Sequence, residues 1–76
     1  MKASTQMKLS IQKRNSAMEE CIAVLVLGNN VFTVGKTDNG FASWGVSDHD
    51  DSSYWGHYFS TYEEAVADMY ERAGVK

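Results

Sequence analysis

Asp48-His49-Asp50-Asp51 gathers three carboxylates and an imidazole in four consecutive residues, ligand types that divalent cations use. Their order matches no calcium loop, because the glycine at the sharp turn and the distal glutamate that closes such a loop are missing. His57, the second of the two histidines, lies outside the run, which reads as a solvated acidic loop; no metal is expected. Cys21, His57 and an aspartate are the types needed for a nucleophile, a base and its orienting group. A nucleophilic thiol must be accessible, whereas Cys21 opens the most apolar stretch, CIAVLVL, where a buried, reduced thiol is expected. The acids offer no spacing that frames a glycosidase cleft, and the dispersed glycines make no phosphate-cradling loop. No catalytic residue and no cofactor is assigned, and a non-enzymatic protein is expected.

Binding chemistry is better represented. Tyr54, Trp44 and Trp55, with Tyr58 and Phe59, are many large rings for so short a chain to enclose. An outward Trp or Tyr offers apolar area with a hydrogen-bonding tip, the usual anchor of a protein interface. Glu64, Asp68 and Glu71 recur at helical spacing and, with Asp48, Asp50 and Asp51, make an array of negative charge resembling a phosphate backbone. These six acids with Trp44, Tyr54 and Trp55 are the nine residues of the expected partner-binding set. The competing readings are tryptophans that fill a thin core and acids that only solvate a helix face.

The elements that must position them follow from turn signals and periodicity. The 76 residues allow one domain with a small core. Residues 1–17 carry Lys2, Lys8, Lys13 and Arg14 without an acid and show no sustained period, as expected of a flexible basic arm. Residues 18–76 hold all ten acids against Lys36, Arg72 and Lys76, so the folded body should repel nucleic acid and attract basic protein surfaces. The run at 21–27 is predicted to be a central strand buried on both faces, followed by strands at 31–36, 41–46 and 54–59. Gly28-Asn29-Asn30 and Thr37-Asp38-Asn39-Gly40 mark hairpin turns, with Asn39-Gly40 as the central pair of the second. A helix over 61–73 is predicted, capped by Ser60 with Glu63 and ended at Gly74, its stripe formed by Tyr62, Ala65, Val66, Met69 and Ala73. The predicted fold is α+β: a four-stranded antiparallel meander with one C-terminal helix packed on one face. The apolar run at 21–27 is too short to span a bilayer and follows Glu19 and Glu20 instead of basic residues, so a cytoplasmic protein without membrane contact is expected.

In layout, residues 31–73 resemble the HicB-type antitoxins, on FASWGVSD followed by FSTYEEAVADMYERA. That resemblance implies a small α/β domain that covers a toxin ribonuclease. Small size, an acidic body, surface aromatics and the lack of a catalytic motif are also similar to phage-encoded inhibitors of bacterial defence of the anti-CRISPR type. This second resemblance implies blocking of a nucleic-acid site or a subunit contact. With the acids and aromatics above, the expected function is a non-enzymatic inhibitor or regulator that occludes a basic surface of a nucleic-acid-processing protein, such as a CRISPR effector or another nuclease, by steric and electrostatic means. A homodimer formed through the aromatic face or an open strand edge is the alternative of a different class.

Overall fold

The computed structural model describes residues 5–74; residues 1–4 and 75–76, including the start of the expected arm, lie outside the described residues. Its elements in chain order are α1 (Thr5–Lys13), β1 (Glu20–Leu27), β2 (Asn30–Thr37), β3 (Gly40–Val46), β4 (Ser53–Phe59) and α2 (Tyr62–Arg72). The strands form one antiparallel sheet in the order β1-β2-β3-β4, which is the expected meander with its C-terminal helix.

Two local signals act one residue away from where the sequence pattern places them. Thr37 pairs with Gly40, so Asp38 and Asn39 are the central turn residues and Gly40 opens β3. Gly40 has φ +140°, and a Cβ there would stand 2.5 Å from the Phe59 carbonyl oxygen, so both the backbone angle and the passing end of β4 require glycine. At α2 the N-cap is Thr61, not Ser60: its hydroxyl oxygen accepts the Glu64 N–H at 3.3 Å while donating to the Glu64 carboxylate at 2.9 Å. Ser60 and Thr61 are chemically equivalent caps, and packing of Tyr62 against Phe41, rings 5.8 Å apart, goes with the later one.

The sheet is apolar on both faces. On one, Val34 meets Ala65 and Met69 of α2, flanked by Ala23, Leu25, Phe32, Phe41 and Phe59. On the other, Ile11 of α1 joins Met18, Cys21, Val31, Ala42, Trp44 and Val46, with Val24 and Val26 at the margin. The unbroken apolar run of β1 therefore reports two helix layers and not a central position: β1 is an edge strand, and β2 and β3 are the central ones.

The expected arm is likewise corrected over residues 5–13, which form α1. Ile11 is fully buried, and the Gln12 side chain accepts the Cys21 N–H at 3.0 Å, so the segment is stitched to the start of β1. One buried isoleucine among Lys, Ser and Gln gives too faint a stripe to mark a helix by periodicity. Ile11→Ala is expected to lower the unfolding free energy by about 2–5 kcal/mol in urea titration, where a loose arm would give almost no change.

Candidate protein-binding surface

Helical spacing groups Asp68 with the solvated acids of α2, yet its side chain is 19% exposed and faces the sheet. It accepts hydrogen bonds from the Ser43 hydroxyl of β3 and, at 2.9 Å, from His57 Nδ1 of β4. Arg72 completes the cluster by donating to the Ser43 carbonyl at 3.2 Å and hydroxyl at 3.4 Å, in place of a direct pair with Asp68. One carboxylate thus ties α2 to two strands. The composition is that of a serine triad, but the wiring is not: Ser43 is fully buried and bonds to the aspartate, whereas a nucleophile needs its base in contact and its oxygen exposed. Asp68 leaves the partner-binding set and becomes a structural hub. Residues 65, 68, 69 and 72 share one helical face, so the inward placement of Asp68 and Arg72 was present in the spacing.

Trp44 also leaves the set. It is 4% exposed, sits in the core on the α1 side and meets Tyr58 edge to face at 6.0 Å. Cys21 lies in that same core, its thiol 3.2 Å from the Thr33 hydroxyl, and burial pushes its pKa above the ordinary value against smaller downward pulls from Thr33 and Lys8. His57 and Asp68 meet on the other side of the sheet, the side α2 covers, so Cys21, His57 and an aspartate are not brought together. Among the described residues no three His, Cys, Asp or Glu side chains come together as a metal site would need, and no helix is long and apolar enough to cross a membrane.

The acidic loop and the ends of β3 and β4 do come together. The Ser47 N–H donates to the Ser52 carbonyl at 2.8 Å and the Asp51 N–H to the Ser47 carbonyl at 3.0 Å, which closes the loop on itself. Ser52 donates its hydroxyl at 2.7 Å and its N–H at 3.1 Å to Asp50. These bonds, the hydroxyl first, hold the Asp50 carboxyl below the usual carboxylate range, and the charge of Arg14 adds to the effect. Asp48 and Asp50 stand exposed, and Asp51 is half-exposed with φ +62°.

The adjoining strand is irregular. The β3–β4 register shifts between Ser43 and Gly45, and Trp55, at the bulge opposite, takes φ +51°. For a bulky side chain that conformation costs on the order of 1–3 kcal/mol. Trp55 is nevertheless 79% exposed, so burial does not offset the cost. Tyr54 lies across the backbone of Gly45, where a Cβ would stand 2.5 Å from its ring, and meets Trp55 edge to face at 5.6 Å. Of the nine expected residues, Asp48, Asp50, Asp51, Tyr54 and Trp55 follow one another along the β3–β4 loop and the start of β4 and reach solvent there; Glu64 and Glu71 are exposed on α2.

No protein-family model matches the chain, nor does any curated protein or solved structure.

Two outcomes are expected from this geometry. Asp68→Ala strands the buried Ser43 hydroxyl and should lower stability by about 2–4 kcal/mol in urea titration, with Asp68→Asn recovering part of the loss. For Asp50, the lowered folded pKa contributes stability that is fully present above the ordinary carboxylate pKa and is lost as pH falls through the lowered value. Carbon-detected NMR titration should show Ser52→Ala moving the Asp50 midpoint upward; an unmoved midpoint would show that Ser52 does not set it.

Proposed function

We propose that this protein is a non-enzymatic inhibitor that occludes a basic surface on a nucleic-acid-processing protein of the cytoplasm, such as a CRISPR effector or another nuclease. The observation that carries the reading is Trp55, a large apolar ring held in a strained conformation and left in solvent on the strand that follows the acidic loop. Burial of the ring does not offset that strain, whereas an interface gains a pre-positioned anchor. Asp48, Asp50 and Asp51 supply the charge that a phosphate would otherwise bring, and Glu64 and Glu71 extend the field at longer range. Arg14, close enough to act on Asp50, leaves the loop a net negative surplus.

Charge on the loop governs encounter and the aromatic pair governs residence. With a nuclease captured from source-cell lysate and then purified, saturating protein should abolish cleavage, and added salt should slow association more than it speeds dissociation. Asp48→Asn, Asp50→Asn and Asp51→Asn together should slow association. Trp55→Gly should weaken binding by about tenfold or more, while stability stays equal or rises by up to about 1 kcal/mol as the backbone strain is relieved. Undiminished cleavage at saturation, or full affinity in Trp55→Gly, would overturn the reading.

A further inference from the structure

The two edges of the sheet differ in whether another strand can join them. At β4 the bulge and the positive φ of Trp55 break the even spacing of backbone donors and acceptors that pairing needs. At β1 the register with β2 is regular from Ala23 to Leu27, and among the described residues no strand lies beyond it. Leu27 and Asn30 flank a two-residue turn and so exchange hydrogen bonds; by alternation Leu25 and Ala23 also bond inward, while Val24 and Val26 aim their N–H and C=O groups away from the sheet. Gln12 covers only the start of this edge, at the Cys21 N–H. Lysine, proline and inward charge, the usual guards of an edge strand, are all absent from Ile22 to Leu27.

We propose that the β1 edge pairs antiparallel with β1 of a second copy of this chain, about a twofold axis at Leu25. The run Val24-Leu25-Val26 reads the same in both directions, so the axis sets each Val24 against Val26 of the other copy in two hydrogen-bonded pairs. Leu25 then meets Leu25 across the non-hydrogen-bonded position, extending the apolar layer under α2, and the valines extend the layer under α1. A second copy fits this edge better than an unrelated strand because the pairing is self-complementary in charge as well. The other copy's β1 ends at Leu27, opposite Ala23, so Glu20 runs past its turn and stays roughly 30 Å along the strand from the other Glu20, keeping the like charges apart. The acidic loop and Trp55 sit at the far side of the sheet, so pairing leaves them open.

Sedimentation equilibrium of the full chain should show the mass doubling as concentration rises. Val24→Pro removes an outward N–H at an edge position that tolerates proline, and should give a folded monomer by far-ultraviolet circular dichroism. Leu25→Cys in a Cys21→Ser background should form a disulfide-linked dimer on oxidation, because that position brings like residues within bridging distance. If Val24→Pro fails to fold, the Leu25→Cys cross-link decides alone. A wild-type monomer at every concentration, or a dimer in which Leu25→Cys does not cross-link, would overturn the proposal.

Discussion

A sheet with apolar side chains on both faces must be covered twice, and everything else in this chain follows from how a short sequence does that. α2 covers one face with Ala65 and Met69; the other depends on a nine-residue helix that contributes one fully buried side chain, Ile11. A helix that short is not stable alone, so α1 exists because the sheet offers Trp44, Val31 and Val46 to pack on, and the sheet face stays dry because α1 is there. The two are mutually conditional.

The thin core also explains the polar cluster inside it. Ala65 and Met69 bury modest area, and the α2 interface is completed by Asp68 holding Ser43 and His57 while Arg72 holds Ser43. Hydrogen bonds have a direction that apolar contact lacks, so the cluster sets where along the sheet the helix sits. Its cost is that Asp68 cannot also serve the surface.

The strands, their order and the C-terminal helix were legible because period two, turn residues and a capped stripe are local signals. Misplaced features depend on what lies across space. β1 looked central because a run apolar on both faces has two causes, a strand on each side or a helix layer above and below, and the sequence is the same for either. Asp68 looked solvated because acids usually are, and α1 was invisible because Ile11 acquires meaning only beside Trp44. The acidic loop with Tyr54 and Trp55 could be found in advance, since contiguous residues share a surface whatever the fold does. Which tryptophan faced out could not, because the bulge that turns Trp55 away from the core arises from the pairing of β3 with β4.

That bulge links the two surfaces of the molecule. Backbone strain at Trp55 both presents the ring and disables β4 as a template for further pairing, so exposure of an apolar anchor does not also expose a sticky edge. The opposite edge has no such device. A run of uncharged residues from Ile22 to Leu27 would be a hazard on a solitary monomer, and natural edge strands of that kind are ordinarily shielded by charge or by another element. Here α1 shields one face of β1 and one backbone group, at Cys21, and stops. An edge guarded at its start and left regular through Val26 has the form of a strand that finds its partner after folding, with the aromatic and acidic end kept clear for a different one.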